Sequence, residues 1–417
     1  MNSEERKVFF DDEKRHLLIF IKWLIIAVFC GLLIGGVGAA FSYCLSYVTQ
    51  TRLQYPKLVL FLPFGGLLIV WLYRMSGVRQ SKGTNMVISS VRSTEKVPMK
   101  MAPLIFISTA LTHLFGGSAG REGAALQLGG SIAAQIGRFI KLDEKDMHII
   151  TMCGMSAAFS ALFGTSITAA IFPLEVISVG IMYYSALVPC AIASLIASAL
   201  ASSLGVKGEH FLIAQIPDLD LSLVCRVALL AILCACAARL FCHILHFVNE
   251  VFRMYFRNQY VRIFCGGCMI IVLSVFCGSE YLGTGMDMIE ESIDGEVIWQ
   301  AALLKIIFTS VTLGCGFKGG EIVPSFFIGA TLGACLGSLL NIPIGFAAAI
   351  GLMSVFCGVT NCPITSLFLS FELFGFVGTA YFLLADTIAY MLSGYESLYH
   401  EQKIMYSKFS PRFIDKK

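Results

Sequence analysis

Long apolar stretches recur along almost the whole chain and predict helices that cross a membrane. Residues 17–40, 182–204 and 221–247 are each long enough to span a bilayer, because a transmembrane helix needs about 20 mostly apolar residues. Two longer ranges, 176–206 and 322–371, contain no Asp, Glu, Lys, Arg or His. The pattern therefore predicts an all-α polytopic membrane protein.

Other apolar stretches are interrupted by Gly, Pro or polar residues. The resulting pieces are about half a membrane span in length and cover 124–137, 163–175, 324–340 and 363–375. Non-helical backbone at membrane depth is tolerated where protein or a water-filled cavity satisfies its polar groups, and such broken helices often line transport pathways. Kinked packing helices are the alternative interpretation.

Composition and charge narrow the class of protein. The 417 residues are 57% hydrophobic and 14% charged, which excludes an ordinary soluble enzyme. A net charge of +3, without basic clusters interleaved with aromatic residues, argues against a nucleic-acid partner. The charged segments 1–19 and 401–417 are expected on the cytoplasmic side of the inner (plasma) membrane. No cleavable signal peptide is evident, because charged residues fill the first sixteen positions.

The fifteen cysteines raise the question of a metal or redox site. A structural zinc site needs four ligands, and the pair Cys265 and Cys268 has no second pair at a suitable spacing. Cysteine also packs well as a small apolar residue within helices. We therefore expect no metal, no cofactor and no disulfide framework.

The chain resembles itself at a spacing near 200 residues. ITAAIFPLE (167–175) matches ITSLFLSFE (364–372), and GREGAALQLGG (120–130) can be laid on GGEIVPSFFIG (319–329). These matches predict two transmembrane repeats, at 20–205 and 220–400, joined by a linker at 206–219. Inverted repeats of this kind bring broken helices together at the middle of the membrane, with the binding site between them.

The stretch GGSAGREGAALQLGG (116–130) places Arg121 and Glu122 side by side in otherwise apolar sequence. Glycines let backbone approach a ligand, and the following helix offers unpaired N–H groups, which together form an anion site. The Glu122 carboxylate could occupy that site in place of an anion and leave it on protonation, acting as gate and proton carrier. The alternatives are a Glu122–Arg121 salt bridge or a helix cap, and Arg121 alone fits an anchoring role better.

A second stretch, GCGFKGGEIVPSFFIGATLG (314–333), repeats this arrangement with Lys318 and Glu321. Simple helix capping is the alternative for Glu321. Glu175 and Glu372 each end an apolar segment and are interpreted as structural residues that hold backbone or face a vestibule. The two remaining isolated groups, His113 and Asp386, are interpreted as hydrogen-bonded core residues.

These motifs, in this order, resemble the CLC family of chloride channels and anion/proton exchangers. GREGA (120–124), GGEIVP (319–324) followed by FFIGATLG, and the paired ITxxxxxxE segments carry the resemblance, which covers nearly the whole chain. It implies a homodimer in which each subunit has its own pore, built from two inverted repeats of tilted and broken helices. It also implies that the chain lacks the cytoplasmic regulatory domain of some relatives.

Several positions depart from the chloride-conducting pattern. KGTNMVI (82–88) replaces the usual Gly-Ser-Gly-Ile-Pro motif, so the pore serine has no clear equivalent. The internal glutamate of chloride/proton exchangers falls at Val176, and Glu321 stands where an apolar residue is usual. These departures resemble the fluoride-exporting branch, whose members exchange fluoride for protons and protect bacteria from fluoride.

The resemblance also assigns roles to individual residues. Glu122 matches the gating glutamate, and Glu321 matches the additional acidic residue of the fluoride branch. The implied anion site is formed by Asn85, Met86, Gly120, Arg121, Gly123, Ile322, Val323 and Tyr399. Backbone amides supply most of its donors, and Tyr399 is matched to the pore tyrosine, with Tyr395 as the alternative.

The predicted function is therefore fluoride/proton antiport in the lipid bilayer, with fluoride and protons as partners. A chloride channel or chloride/proton exchanger of the same fold is the first alternative. A membrane-embedded enzyme that uses Glu122 and Glu321 as an acid/base pair is the second. This enzyme would lack an evident nucleophile with a neighbouring base, so we expect no catalytic residues.

Overall fold

The computed structural model describes residues 3–78, 83–92 and 97–416, and these form sixteen α-helices and one small sheet. Lys82 of the first motif, the first two residues of the N-terminal segment and Lys417 lie outside the described residues. Seven of the described helices are long and apolar enough to cross a membrane. The all-α polytopic fold class is confirmed.

The first eight helices lie before the predicted linker. They are α1 (Ser3–Gln54), α2 (Leu62–Met75), α3 (Thr84–Arg92), α4 (Met101–Leu114), α5 (Glu122–Phe139), α6 (Glu144–Phe163), α7 (Ser166–Val176) and α8 (Leu187–Ser203). Short 3-10 helices precede α2 and α8, at Pro56–Phe61 and Tyr184–Ala186.

The other eight helices follow the linker. They are α9 (Leu221–Tyr255), α10 (Gln259–Cys277), α11 (Met286–Asp294), α12 (Ala301–Cys315), α13 (Ile322–Leu340), α14 (Ile344–Thr360), α15 (Pro363–Phe374) and α16 (Thr379–Leu392). Residues 206–219 contain neither helix nor strand.

The two sets of helices correspond in order and spacing. The fifth helix of each set begins at Glu122 or Ile322, and the sixth begins at Glu144 or Ile344. The third and seventh helices are short in both sets. Duplication of one unit would produce this order, but its inversion and the repeat boundaries stay predictions.

The three uninterrupted spans predicted from the sequence lie in α1, in α8 with its preceding 3-10 turn, and in α9, so they are confirmed. The short helices α7 and α15 are confirmed at 11 and 12 residues. The half-length prediction is wrong for α5 and α13, which have 18 and 19 residues. Glycines in these helices do not break them but allow close packing: a Cβ on Gly129 would collide with the Gly154 carbonyl of α6.

Glu175 and Glu372 join the two short helices reciprocally. The Glu175 carboxylate accepts hydrogen bonds from the backbone N–H groups of Ile364 and Thr365 in the first turn of α15, at 3.1 and 2.8 Å. Glu372 of α15 accepts equivalent bonds from the first turn of α7, at 2.9 and 2.8 Å. Each carboxylate satisfies amides that a helix start leaves unpaired. Their interpretation as structural residues that hold backbone is confirmed.

Replacing Glu175 by alanine is expected to destabilise the protein, because two backbone donors of α15 and the Thr365 hydroxyl lose their acceptor. The expected cost is about 1–3 kcal/mol. The midpoint of thermal denaturation in detergent would report it, with Ala in place of the exposed Glu291 as the control. An unchanged midpoint for Glu175→Ala would show that the hydrogen bonds accepted by Glu175 do not stabilise the protein.

A three-stranded sheet attaches the C-terminal segment to the helices. β1 (Ser178–Val179) pairs in parallel with β2 (Lys403–Tyr406), which pairs antiparallel with β3 (Phe413–Lys416). Just before β2, the Gln402 amide donates to the carbonyls of Val176 and Thr360, at 2.9 and 2.7 Å. The sequence did not predict this sheet, because strands of two to four residues are too short to show a period.

Candidate functional site

The two Gly-rich stretches meet through their backbones. The N–H of Gly120 donates to the carbonyl of Gly320 at 2.7 Å, and the N–H of Gly320 donates back at 2.8 Å. This bridge brings the first turns of α5 and α13 together, as the anion-site interpretation requires. The amide of Gly120 is engaged in the bridge, so we no longer assign it to an anion.

Neither helix that starts at the bridge is capped by the side chain of its own N-cap residue. Asp143 and Asp220 cap α6 and α9 by accepting a hydrogen bond from an N–H of the first turn. The N-cap residues of α5 and α13 are Arg121 and Glu321, and neither makes such a bond. The capping alternative for Glu321 is therefore wrong. The first-turn amides of α5 and α13 are therefore available to an anion or to a side chain from another segment.

Glu122 reaches across the bridge to the other helix. Its side chain is fully buried, and its Oε2 accepts a hydrogen bond from the backbone N–H of Val323, at 3.2 Å. Its Oε1 has no hydrogen-bond partner among the described residues. The carboxylate thus occupies the start of α13, one of the positions assigned to the anion.

Arg121 does not pair with its neighbour. Its guanidinium forms an ion pair with Glu209 of the linker, at 2.5 Å, and lies 5.7 Å from the centre of the Phe163 ring. The Glu122–Arg121 salt bridge is therefore wrong and the anchoring role of Arg121 is confirmed. Because the guanidinium is engaged in this ion pair, Arg121 is not assigned to the anion site. Sequence reasoning missed Glu209, whose charge in the most polar linker was the available signal.

Glu321 approaches the same contact from the second Gly-rich stretch. Glu321 Oε2 lies close to Gly123, because a Cβ added to this glycine would be only 3.2 Å from that oxygen. The same Cβ would be 3.1 Å from the Cα of Gly320. Glu321 Oε2 is buried and has no hydrogen-bond partner among the described residues. Two carboxylates, one from each Gly-rich stretch, therefore flank one backbone contact.

The structure distinguishes the two candidate tyrosines. Tyr399 is 2% exposed, lies within electrostatic range of Glu122 and Glu321, and its hydroxyl has no hydrogen-bond partner in the described part of the chain. The Tyr395 hydroxyl instead pairs with the Ser407 hydroxyl, at 2.8 Å. Of the two tyrosines, Tyr399 is therefore the one that is buried within electrostatic range of both glutamates, and its role in the pore stays a prediction.

The stretch KGTNMVI (82–88) contributes other contacts to the site than the resemblance implies for Asn85 and Met86. Asn85 uses its side-chain oxygen to accept the backbone N–H of Glu401, at 3.0 Å, and Met86 is buried in α3. Thr84, which the sequence analysis missed, lies nearer the centre of the site: its hydroxyl is 3.4 Å from the Gly123 carbonyl.

Gln127 is a second residue that sequence reasoning missed. Its side-chain nitrogen donates to the Gly123 carbonyl at 3.0 Å, while its side-chain oxygen is buried without a partner among the described residues. The available signal was a lone amide one helical turn after Gly123, within the apolar run GAALQLGG.

The isolated groups His113 and Asp386 behave differently. His113 is buried and hydrogen-bonds through Nε2 to the Gly120 carbonyl at 3.3 Å, which confirms its interpretation. Asp386 is buried, but neither carboxylate oxygen has a hydrogen-bond partner within the described residues. The nearby Ser366 donates to the Met353 carbonyl instead. The core position of Asp386 is as interpreted, and its hydrogen bonding stays a prediction.

A cavity of about 630 Å³ opens beside the bridge. Its wall includes Glu321, Gln127 and Asn85, but neither Glu122 nor Tyr399. The other acidic, basic and histidine residues of the wall are His246, Arg253, Arg262, Lys318, His400 and Glu401. Of the two glutamates, Glu321 therefore borders a cavity that is large enough to hold water.

Comparison with known proteins identifies the family. Residues 65–394 match the family model described as voltage gated chloride channel, so the chain belongs to this family, the CLC family. The chain is 36% identical to the chloride/fluoride channel protein of Pseudomonas syringae pv. tomato, over 95% of this chain and 90% of that protein. It is 24% identical to the H⁺/Cl⁻ exchange transporter of Vibrio cholerae, over 84% and 81%.

Solved structures give the same result. A CLC-type fluoride/proton antiporter superposes with a TM-score of 0.89 and 33% identity, covering 92% of this chain and 98% of that one. A slow cyanobacterial Cl⁻/H⁺ antiporter superposes with a TM-score of 0.77 and 18% identity, covering 89% and 94%. The second match shows the fold alone. The protein is thus a multi-pass membrane protein, and the relatives named here are channels, exchangers and antiporters.

Proposed function

We propose that this protein is a fluoride/proton antiporter. The observation that carries the proposal is the position of Glu122, whose carboxylate accepts the Val323 N–H at the start of α13, where the helix's own N-cap residue makes no such bond. A helix start of this kind binds anions through its free amides. The carboxylate and a transported anion therefore compete for one set of donors, and a carboxylate can give up that competition by taking a proton.

The exchange follows from the chemistry of a buried carboxylate. Burying an ionised group is costly, and the Oε1 atom of Glu122 has no hydrogen bond to compensate this cost among the described residues. Protonation removes the charge and weakens the bond to the Val323 amide, because charge-assisted hydrogen bonds are the stronger ones. Glu122 then leaves, and fluoride takes the Val323 amide with those of Gly123 and Ile322. Glu122 loses its proton towards one side of the membrane, and its ionised carboxylate then returns to the Val323 amide and displaces fluoride towards the other side.

Glu321 supplies the proton route in this proposal. Chloride/proton exchangers of the family use an internal glutamate, but the corresponding position here is Val176, which cannot carry a proton. Glu321 lies on the cavity wall, and its Oε2 reaches the Gly123–Gly320 contact beside Glu122. Protons would pass between cavity water and Glu122 by way of Glu321.

Fluoride is the proposed anion for two reasons. The relative at 36% identity is named for chloride and fluoride and the structure at a TM-score of 0.89 for fluoride, whereas the chloride exchangers named above are more distant in sequence. Glu321 and Val176 also depart from the chloride pattern in the way that the fluoride branch does. Chloride transport by the same fold is the alternative.

Export across the plasma membrane fits this activity. Hydrogen fluoride enters cells as a neutral weak acid and dissociates, so the anion must leave, and inward protons drive it. We propose that the protein resides in the inner (plasma) membrane with both termini cytoplasmic. We also propose a homodimer of independent pores, which counting photobleaching steps of singly labelled protein in liposomes would test.

The test of the proposed function is transport by purified protein in liposomes. Fluoride-loaded vesicles are expected to release fluoride and take up protons, and chloride-loaded vesicles are expected to do neither at a comparable rate. A fluoride electrode and a trapped pH dye record the two fluxes, and protein-free liposomes are the control. Chloride efflux as fast as fluoride efflux would replace the proposal with chloride transport.

A further inference from the structure

The ion pair between Arg121 and Glu209 joins the linker to the residue next to the proposed gate. Arg121 is the N-cap residue of α5 and directly precedes Glu122. Glu209 lies 88 positions further along the chain. The guanidinium of Arg121 nevertheless contacts the distant carboxylate, at 2.5 Å, and forms no ion pair with the adjacent one within the described part of the chain. This choice of partner is decided by the linker.

Backbone hydrogen bonds fix the linker on both sides of the Glu209 side chain. The N–H of Glu209 donates to the carbonyl of Phe163 at the end of α6, at 3.0 Å, and the N–H of Phe211 donates to the carbonyl of Leu373 in α15, at 2.9 Å. The carboxylate of Glu209 is therefore held near its partner, and forming the ion pair requires little further ordering of the chain.

Phe163 also contacts the guanidinium. The centre of its ring lies 5.7 Å from the guanidinium carbon of Arg121, within the range of a cation–π interaction. The side chains of Arg121 and Glu209 are 16% and 23% exposed, so solvent screens their ion pair less than a pair at the surface. The ring of Phe163 and the carboxylate of Glu209 together direct the guanidinium away from α5.

Without Glu209, the nearest acceptor for this guanidinium in the sequence would be Glu122. The carboxylate of Glu122 is fully buried, lies within electrostatic range of Arg121, and has an Oε1 atom without a hydrogen-bond partner among the described residues. A carboxylate that gains an arginine partner holds its charge more strongly. Glu122 would then stay ionised on the Val323 amide and keep fluoride out.

Resting on the proposed function, we infer that Glu209 is a positioning residue of the exchange, which holds Arg121 away from Glu122 and leaves the gating carboxylate able to take a proton. Glu209 acts through Arg121 and carries neither the anion nor the proton itself. The linker thus contributes to the gate although it lies outside both Gly-rich stretches.

Other titratable groups lie around these three residues, and their effects must be separated from that of Glu209. The groups within electrostatic range are Glu321 and Tyr399 for Glu122, His113 for Arg121, and Glu290 for Glu209. Glu290 is exposed on α11. Glu290→Gln is therefore the matched control, because it removes a negative charge near Glu209 but leaves the ion pair with Arg121 in place.

The test is the pH dependence of fluorine-18 fluoride exchange in liposomes, with equal fluoride and equal pH on both sides. Molecules in either orientation then report the same protonation equilibrium. Protein-free liposomes at each pH correct for the passage of neutral hydrogen fluoride. The parent protein is compared with Glu209→Gln, Glu290→Gln and the double variant Arg121→Gln/Glu209→Gln, each checked by size-exclusion chromatography.

Exchange by the parent is expected to rise as the pH falls, because protonation of Glu122 opens the amide site. Glu209→Gln should show the same rise at a pH lower by about 1 to 3 units, the usual effect of an adjacent arginine on a carboxylate. Above both midpoints its rate should be at least about tenfold below that of the parent. Glu290→Gln should keep the parent's midpoint. The double variant should return to at least that midpoint, because no guanidinium remains to pair with Glu122.

Infrared difference spectroscopy in detergent follows the same equilibrium without transport. The band of the protonated Glu122 carboxyl group is identified by its absence from Glu122→Gln, and its intensity is measured against pH. Its midpoint should be lower in Glu209→Gln than in the parent and should be restored in the double variant.

A Glu122 band that titrates in Glu209→Gln as it does in the parent would overturn the positioning role. An exchange rate lowered equally at every pH would also overturn it, since that is the result of damage to the fold. A shifted midpoint that persists in the double variant would show that Glu209 acts by its own charge and not through Arg121. Absence of fluoride exchange by the parent would be a failure of the proposed function, and the infrared midpoints would still decide the role of Glu209.

Discussion

Glu122→Gln is expected to abolish proton movement driven by a fluoride gradient. The carboxamide is close to the carboxylate in shape, so it can still accept the Val323 N–H. It can neither bind nor release a proton, and its neutral oxygen competes with fluoride more weakly than a charged one. Fluoride-loaded vesicles should therefore show no proton uptake above that of protein-free vesicles, whatever fluoride leak remains. A trapped pH dye measures this directly.

The control is Glu291→Gln, which changes an exposed glutamate of α11 in the same chemical way. It should keep the parent's proton uptake. Glu321→Gln provides a graded comparison: proton uptake should fall, but fluoride should still encounter the intact Glu122 gate. Proton-coupled transport at the parent rate by Glu122→Gln would show that this carboxylate is not the proton carrier, and the proposed mechanism would have to be abandoned.

Gly320→Ala is expected to disable transport by separating the two Gly-rich stretches. A Cβ at this position would lie 2.6 Å from the backbone nitrogen of Gly123 and 2.9 Å from the Glu122 carboxylate. Backbone cannot rotate away as a side chain can, so the Gly120–Gly320 bridge must open. A shift of about 1 Å in such a site can lower a rate on the order of 100-fold. The fluoride electrode assay measures the loss.

Gly36→Ala is the matched control for this substitution. It also adds one methyl group to a glycine, but in α1, where the nearest atom would be 4.0 Å away. Alanine favours a helix interior by about 1 kcal/mol relative to glycine, so this variant should fold and transport normally. Size-exclusion chromatography of both variants separates a damaged site from a misfolded protein. Normal fluoride efflux by folded Gly320→Ala would mean that the bridge is dispensable.

Much of the fold could be predicted because lipid imposes simple rules on sequence. The spans in α1, α8 and α9 follow from uninterrupted apolar length, and the short helices α7 and α15 follow from the breaks around them. The lengths of α5 and α13 could not be predicted in this way. Their glycines look like breaks in the sequence, but in the structure they are contact points between neighbouring helices.

The composition of the site was less predictable than its location. The pair of motifs around Glu122 and Glu321 was visible, because acidic residues after glycines are rare in apolar sequence. Thr84, Gln127 and Glu209 were missed, since an isolated polar residue gives no indication of what it will contact. Each acquires its partner from a distant segment or from helix geometry.

The sequence by itself determined that the chain is a membrane protein, that its Gly-rich motifs recur, and that each of these motifs runs into a helix. Only the tertiary structure decided that Glu122 occupies the start of the opposite helix, that Arg121 turns away to Glu209, and that Glu321 lines the cavity beside the bridge. The physical reason is range. Hydrophobic length and helix-start chemistry act over a few neighbouring residues, whereas these contacts join groups 88 and 201 positions apart, which only packing brings together.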